Sequence, residues 1–298
     1  MKNKILVTGA NGFMGQHVIR FLNDKNYHVI ATSRNLSRLS KEWNVEYYSC
    51  NIAHEKEVED LMNTIKPTLI IHTAALSKPD ECENNKEYCL QVNVKATEYI
   101  LQYAKKVNEN VVFIYISTDF IFGENGPHKE DDNPNPLNFY GESKLRAEEF
   151  VKNNSSNCCI VRPVFIYGKV WDGLRPSFLH WVKKNLEEKK TIKVVSDQFR
   201  TPTYIDDVSS GIEKIIATNS TGVFHIAGKN IMSPYDMAIT VAEVLNLNKN
   251  LIEKVTSETF PEPVVRAKKS GLIITKAIQQ LGYQPLSFEE GVRKTFSI

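Results

Sequence analysis

Cysteine is scarce in this sequence and follows no recognisable spacing. Five of the 298 residues are cysteines, an odd number, and no two of them form a Cys-x-x-Cys motif. A disulfide framework requires paired cysteines, and a structural zinc site requires closely spaced ones. We therefore expect reduced thiols and no bound metal.

The chain also has little net charge and no long apolar run. Its 37 basic and 35 acidic residues leave a formal charge of +2, and the basic residues are scattered, which argues against a nucleic-acid-binding or membrane-binding face. No apolar stretch approaches the roughly 20 residues of a membrane span. The first residues run directly into a strand-like segment, without the apolar core of a signal peptide. We therefore expect a cytoplasmic protein that binds neither nucleic acid nor membrane.

Six short apolar segments, rich in Val and Ile and without polar alternation, are present up to residue 163. They are 4–8, 28–33, 45–50, 68–73, 111–117 and 158–163. Such runs are typical of parallel strands buried on both faces, and the stretches between them are long enough for crossover helices. The sequence predicts an α/β fold, a doubly wound parallel (Rossmann) sheet. The segment 124–137, rich in Pro, Asn and Asp, predicts a long polar surface loop.

The alternation becomes irregular after residue 163, which predicts a smaller, discontinuous C-terminal substrate domain. A helix over 205–217 and a strand over 222–227 are expected to return to the sheet. The predicted division is 1–163 plus 203–228 for the dinucleotide-binding domain and 164–202 plus 229–298 for the substrate-binding domain. Two amphipathic stretches, 272–281 and 288–296, predict helices in the tail.

Three glycines, spaced three residues apart, follow the first strand. Gly9 permits a tight turn, Gly12 permits close approach of a pyrophosphate, and Gly15 permits close packing of helix on strand. The following helix offers unpaired N–H groups and the positive end of its dipole. This turn predicts a dinucleotide site, with a purely structural turn as the alternative. The intervening candidates for cofactor contact are Asn11, Phe13 and Met14.

No acidic residue stands at the end of the second predicted strand, where an Asp or Glu would bind the ribose 2′-hydroxyl of NAD. The sequence there has Ser33 and Arg34, with Arg38 following. A hydroxyl and two guanidinium groups suit a 2′-phosphate, so NADPH is the predicted cofactor and NADH the second choice. The alternative is that both arginines are solvated surface residues.

Tyr140 and Lys144 are four residues apart in a predicted helix, so their side chains share one face. An ammonium beside a phenol favours phenolate, which predicts a lowered pKa for Tyr140 and an acid/base role. Alone, this spacing is typical of a surface helix. Ser117 and Thr118 end the fifth predicted strand and are expected to bring hydroxyls to the same place.

Together these motifs resemble the extended short-chain dehydrogenase/reductases. The resemblance also rests on the segments His-Thr-Ala-Ala at 72–75 and Asn-Val-Lys-Ala-Thr at 93–97. Within that family, residues 117–149 are similar to the dTDP-4-dehydrorhamnose reductase branch, which includes nucleotide-sugar reductases and one non-enzymatic regulatory subunit. The segments 200–207 and 224–228 also resemble that branch, so the likeness spans nearly the whole chain.

The resemblance implies roles for individual residues. Thr118 is expected to hydrogen-bond the substrate carbonyl, Tyr140 to donate the proton, and Lys144 to hold the nicotinamide ribose and lower the tyrosine pKa. The implied cofactor contacts further include Asn51, Ile52, Ala74, Ala75 and Asn93. Asn93 has an equal alternative, orientation of the backbone. The chain departs from the family at Asn51, where Asp is usual, and at Ala267, where Pro is common.

On the substrate side, Ser117, Arg200 and Arg266 are the remaining candidates. The two arginines lie in regions that contact nucleotide diphosphates in related enzymes, and pairing with surface carboxylates is the alternative. Five aromatic residues either stack on a base or sugar or form core, with core favoured. They are Phe165, Tyr167, Trp171, Phe178 and Trp181. Three histidines lack metal-ligand spacing and are expected to pack or hydrogen-bond. They are His72, His180 and His225.

These observations favour an NADP(H)-dependent reductase of a 4-keto-6-deoxy nucleotide sugar, an oxidoreductase of dTDP-rhamnose biosynthesis type. A dehydratase of this family has Glu where Phe120 follows Asp119, and an epimerase normally keeps NAD bound, which the missing acid disfavours. The epimerase and a regulatory subunit that retains the fold stay as alternatives. The expected partner is a nucleotide-sugar substrate, and assembly as a homodimer is left open.

Overall fold

The computed structural model describes residues 4–171, 173–260 and 263–298. The strands are β1 (Lys4–Thr8), β2 (His28–Ser33), β3 (Glu46–Ser49), β4 (Leu69–His72), β5 (Val112–Ile116), β6 (Cys158–Arg162), β7 (Ile166–Tyr167), β8 (Ile192–Val195), β9 (Thr203–Tyr204), β10 (Gly222–His225) and β11 (Ile252–Val255). The helices are α1 (Phe13–Asp24), α2 (Glu55–Ile65), α3 (Pro79–Asn84), α4 (Lys86–Leu90), α5 (Ala96–Val107), α6 (Phe139–Asn154), α7 (Phe178–Glu187), α8 (Ile205–Thr218), α9 (Pro234–Val244), α10 (Thr275–Leu281) and α11 (Phe288–Phe296). A π-helical turn, Gln91–Lys95, joins α4 to α5.

Seven strands form one parallel sheet in the order β10-β6-β5-β4-β1-β2-β3. Each of the six predicted N-terminal strands is present within its predicted segment, so the doubly wound α/β fold is confirmed. Both faces of the sheet are covered. Ile5 and Val7 belong to the core that contains residues of α1 and α8, whereas Leu6 belongs to the opposite core with residues of α2 and α5. This double burial explains the non-alternating apolar runs.

The chain returns to the sheet as expected from the sequence, because β10 pairs with β6 in the register Gly222↔Cys159. Outside the large sheet, β8 pairs with β11 and β7 pairs with β9. The tail helices α10 and α11 lie within the predicted segments. All five cysteines are free thiols and buried. Within the described ranges, no helix is long and apolar enough to cross a bilayer.

The long polar loop after β5 lies at the surface as its composition predicts, since none of residues 124–137 is buried, and its backbone also bonds a distant segment. The Gly126 N–H donates to the carbonyl of Lys269 at 2.9 Å, and the His128 N–H donates to that of Gly271 at 3.0 Å. The loop therefore pairs with the segment that leads into α10. The composition reflects its many turns, whereas its position depends on backbone partners more than 130 residues away.

Candidate functional site

A cleft of about 720 Å³ opens at the carboxyl ends of the strands of the large sheet. Parallel strands bring all their carboxyl ends to one edge, so segments far apart in sequence meet there. Almost all of the predicted site residues line this cleft. They are Gly9, Asn11, Gly12, Phe13, Met14, Gly15, Ser33, Arg34, Arg38, Asn51, Ile52, Ala74, Ala75, Ser117, Thr118, Tyr140 and Lys144. Asn93, Arg200 and Arg266 lie outside its lining.

The glycine turn is packed so closely that larger side chains do not fit. Gly9 has φ +69°, and a Cβ there would lie 2.8 Å from the backbone nitrogen of Ala74. A Cβ on Gly15 would lie 2.2 Å from the carbonyl oxygen of Gly9. Gly12 caps α1 without a side-chain hydrogen bond, so the helix N-terminus faces the cleft with backbone N–H groups. This arrangement fits a pyrophosphate.

Asn11 connects the glycine turn to the loop that follows β2. Its amide nitrogen donates to the carbonyl of Leu36 at 2.9 Å, and its amide oxygen accepts from the Arg38 N–H at 2.9 Å. The Tyr47 hydroxyl donates to the Asn35 carbonyl in the same loop. The backbone that carries both predicted phosphate-binding arginines is thus fixed by side chains of the turn and of β3.

Both arginines after β2 form hydrogen bonds with residues far away in the sequence. Arg34 Nη1 donates to the Tyr88 hydroxyl at 2.7 Å, and Arg38 Nη1 donates to the carbonyl of Gly173 at 3.1 Å. Both side chains are exposed, and both also line the cleft. The contact of Tyr88 with Arg34 could not be predicted from the sequence, since no local pattern relates a residue of α4 to the end of β2.

Tyr140 and Lys144 lie in the first turns of α6, which begins after Asn138. The Asn138 side-chain oxygen caps the helix by accepting from the Gly141 N–H at 3.0 Å. Tyr140 is 8% exposed and Lys144 3% exposed. Tyr140 and Thr118 both line the cleft, so a phenol that can donate a proton and a second hydroxyl face the same space. The predicted juxtaposition of these three side chains is present.

The electrostatics of the pair differ from the prediction that Lys144 lowers the pKa of Tyr140. Burial raises the pKa of the Tyr140 phenol well above its usual value, and the charge of nearby Asp119 adds to the rise. Burial lowers the pKa of Lys144 to about 7, and its Nζ lies 4.2 Å from the centre of the Tyr115 ring. Desolvation disfavours phenolate and ammonium alike. Tyr140 is therefore protonated at neutral pH and poised as a proton donor.

For Asn93, the structure favours orientation of the backbone over the predicted contact with the cofactor. It is 1% exposed, and its amide oxygen accepts from the Leu76 N–H at 2.7 Å while its nitrogen donates to the Leu76 carbonyl at 3.1 Å. The same nitrogen donates to Ser143 Oγ at 2.9 Å. Because Leu76 lines the cleft, Asn93 shapes the wall from behind, between β4 and α6.

Ser117, predicted on the substrate side, lines the cleft, and its hydroxyl oxygen is buried. Among the described residues it has no hydrogen-bond partner. Buried hydroxyls are normally paired, which makes this oxygen an exception among the described residues. The adjoining Thr118 hydroxyl, in contrast, donates to Asp119 Oδ1 at 3.3 Å.

Arg200 and Arg266 line a small depression that shares Asp119 and Phe120 with the main cleft. Arg200 donates to Gln198 Oε1 at 2.8 Å, and its guanidinium lies 5.8 Å from the Phe165 ring. Arg266 Nη2 lies 3.5 Å from the Asp80 carboxylate. Burial raises the pKa of Asp119, and the charge of Arg200 opposes that rise. The depression therefore brings two guanidinium groups and the Asp119 carboxyl together beside the cleft.

The aromatic and histidine residues are mostly structural. Phe165 lines the cleft, whereas Tyr167 is buried and Phe178 stacks on Trp181 along α7. His72 hydrogen-bonds Thr8 at 2.7 Å and Thr97 at 3.0 Å. The hydrogen-bonding role predicted for the histidines is confirmed there, as it is for His180 with Ser177 and for His225 with Arg162.

Comparison with known proteins places these features in a family. Residues 2–298 match the model described as the RmlD substrate binding domain. The spore coat polysaccharide biosynthesis protein SpsK of Bacillus subtilis is 27% identical over 293 residues, which cover 98% of this chain and 96% of SpsK. Methionine adenosyltransferase 2 subunit beta of Xenopus tropicalis is 30% identical over 261 residues, covering 86% of this chain and 76% of that protein.

Among solved structures, dTDP-4-dehydrorhamnose reductase from Bacillus anthracis in complex with NADP matches with a TM-score of 0.86 and 28% identity. The match covers 100% of this chain and 99% of that chain. The family resemblance of the motifs is thus confirmed over the whole fold. The chain belongs to the RmlD substrate binding domain family, and its structural neighbours include dTDP-4-dehydrorhamnose reductases.

Proposed function

We propose that this chain is an NADP(H)-dependent reductase of a 4-keto-6-deoxy nucleotide sugar. The proposal rests on one observation. The buried residues Tyr140, Lys144 and Thr118 line the same cleft as the glycine turn. A related reductase with the same fold binds NADP. The proposal includes the division into 1–163 plus 203–228 and 164–202 plus 229–298, with the cleft lined by the first part together with Phe165 and Ile166 of the second.

The residues of the cleft fit a dinucleotide phosphate. The α1 N-terminus and its glycines suit the pyrophosphate, and Arg34 and Arg38 suit a 2′-phosphate, because no carboxylate stands at the end of β2. Asn51 and Ile52, which line the cleft, would contact the adenine, and Ala74 and Ala75 would form the groove wall. When bound, the cofactor supplies a hydride. NADPH is therefore the proposed cofactor, with NADH as the weaker one.

The protein's own groups handle the carbonyl oxygen of the sugar. Thr118 donates a hydrogen bond to it, and Tyr140 transfers its phenolic proton as negative charge develops there. The raised pKa of Tyr140 keeps that proton on the phenol at neutral pH until the oxygen becomes basic. Lys144 would hold the cofactor ribose, and because burial lowers its pKa to about 7 it would be only partly charged at neutral pH.

Arg200 and Arg266, beside the small depression at Asp119, are the proposed contacts for the diphosphate of the substrate. Arg200 and Arg266 present planar guanidinium groups, which suit bidentate binding of phosphate oxygens. Both arginines line this depression, and it adjoins the catalytic hydroxyls through Asp119 and Phe120. A nucleotide sugar would thus lie with its sugar at Tyr140 and its diphosphate over the arginines.

A regulatory binding protein is the second candidate function. It is favoured by the 30% identity to a protein described as subunit beta of methionine adenosyltransferase 2. An intact pair of Tyr140 and Lys144 does not by itself establish turnover, so the two candidates require a kinetic test.

The test measures NADPH consumption with a panel of 4-keto-6-deoxy nucleotide sugars. We expect turnover with at least one member, and we expect Tyr140→Phe to lower kcat by roughly 10²–10⁴-fold while NADPH still binds, because the change deletes the proton donor and keeps the ring. Tyr103→Phe is the matched control, since Tyr103 hydrogen-bonds Glu55 away from the cleft. NADPH binding without consumption for every sugar would favour the regulatory candidate.

A further inference from the structure

Tyr88 of α4 reaches across the mouth of the cleft to the arginine that follows β2. Its hydroxyl accepts a hydrogen bond from Arg34 Nη1 at 2.7 Å, and both side chains line the cleft. We propose that Tyr88 is a specificity-determining residue that positions Arg34 for a 2′-phosphate. This inference rests on the proposed function, because it concerns how the cleft distinguishes NADPH from NADH.

The partner of Arg34 is a neutral phenol, which matters for anion binding. Among the described residues, Arg34 has no carboxylate within salt-bridge distance, whereas Arg266 contacts Asp80 and Arg20 contacts Asp206. A carboxylate partner would neutralise the guanidinium and compete with phosphate. A phenol oxygen occupies one of the five guanidinium donors and leaves the positive charge and the other donors to a ligand.

Both ends of this contact are anchored. The backbone carbonyl of Arg34 accepts from Ser49 Oγ at 3.2 Å, and the loop after it is held by Asn11. On the other side, the Tyr88 N–H donates to the side chain of Asn85, which caps α4. Only the long side chain of Arg34 is left to be ordered, and Tyr88 restricts it. Fixing a flexible side chain before binding lowers the entropic cost of binding.

The experiment compares ligands that differ only in the 2′-phosphate. The affinities of wild type and Tyr88→Phe for NADPH and NADH are measured by fluorescence titration, and those for 2′,5′-ADP and 5′-AMP by competition. We expect Tyr88→Phe to weaken NADPH and 2′,5′-ADP by about three- to tenfold, the size expected for one ordinary hydrogen bond lost near solvent. NADH and 5′-AMP should change by less than about twofold.

A double substitution tests whether Tyr88 acts through Arg34. In an Arg34→Ala background, Tyr88→Phe should cause no further loss of NADPH affinity, because the residue to be positioned is gone. Tyr103→Phe, which deletes an equivalent exposed phenol hydroxyl bonded to Glu55, should leave all four affinities unchanged. Thermal unfolding of each variant confirms that the fold is intact.

Three results would overturn the role of Tyr88: unchanged NADPH affinity in Tyr88→Phe, equal losses for NADPH and NADH, or additive losses in the double variant. These binding measurements do not require turnover. A chain that consumes no NADPH with any keto sugar would refute the reductase and still report on Tyr88. Conversely, a reductase whose Tyr88→Phe variant binds like wild type would retain its function and refute this inference.

Discussion

Lys144 is buried, and burial disfavours the charged form of its side chain. Only 3% of it is exposed, and burial lowers its pKa to about 7. The usual lysine value is near 10.5, so the folded protein binds this proton less tightly than the unfolded chain does. Above about pH 10.5 the residue is neutral in both states. As the pH falls toward 7, only the unfolded chain takes up the proton, and the folded state loses stability.

We expect Lys144→Met to be more stable than wild type at pH 7, by on the order of 1–3 kcal/mol, while losing cofactor affinity and rate. The advantage should shrink as the pH rises from 7 toward 10, because the desolvation penalty of the ammonium disappears. Urea unfolding of both proteins at matched pH values measures this difference. An advantage that stays constant with pH would show that Lys144 is not titrating in this range.

The same residues show what local sequence can and cannot predict. The i, i+4 spacing of Tyr140 and Lys144 correctly predicts a shared helix face, since that spacing is a property of the helix alone. The pKa of Tyr140 was predicted to fall, but burial of the phenol raises it and the charge of Asp119 adds to the rise, and both depend on the tertiary structure. Asn93 likewise became a wall-supporting residue through its contacts with Leu76 and Ser143.

At the scale of elements, the turn between β1 and α1 leaves different amounts of space for a side chain at two of its glycines. A Cβ on Gly15 would lie 2.2 Å from the Gly9 carbonyl oxygen, whereas a Cβ on Gly12 would lie 3.1 Å from the same atom. The first distance requires the helix to shift, because the obstacle is backbone. The second requires an adjustment of a few tenths of an ångström.

We therefore expect Gly15→Ala and Gly12→Ala to separate packing from ligand binding. Gly15→Ala should lower the free energy of unfolding by about 2–3 kcal/mol through overpacking and should also weaken NADPH binding. Gly12→Ala should cost less than about 1 kcal/mol and still weaken NADPH binding, since a methyl group would stand where the pyrophosphate approaches. Urea unfolding and fluorescence titration check both. Equal stability losses in the two variants would contradict this distinction.

At the scale of the whole molecule, a buried ionic network joins distant segments. Arg162, at the end of β6, donates to Glu148 of α6, to the carbonyl of Glu130 at 3.0 Å, and to the ring of His225 at 3.2 Å. Arg162 is 1% exposed and Glu148 is fully buried. Burial lowers the pKa of His225 to about 3, so this histidine is neutral and accepts from Arg162. The network ties the sheet, α6 and the long loop together.

Removing one side of the buried pair should cost more than removing both. We expect Arg162→Met to lower the free energy of unfolding by about 3 kcal/mol, because buried Glu148 loses its buried guanidinium partner and keeps the more exposed Lys152. The double variant Arg162→Met/Glu148→Leu should recover at least half of that loss.

Arg146→Met provides the matched control for this cycle. Arg146 forms an exposed pair with Glu142 on the same helix, and its loss should cost less than about 1 kcal/mol. Urea unfolding of the variants measures each difference. A double variant less stable than Arg162→Met alone would mean that Glu148 stabilises the fold independently of Arg162.

Taken by itself, the sequence determined the large sheet and the composition of the cleft. Apolar runs, glycine spacing and helical periodicity are local properties, and a parallel sheet gathers its strand ends at one edge whatever the details of packing. Only the tertiary structure decided that Tyr88 meets Arg34, that the loop over 124–137 pairs with the segment before α10, and that Tyr140 stays protonated. Each of these depends on burial or on partners far away in the chain, which no short stretch of sequence encodes.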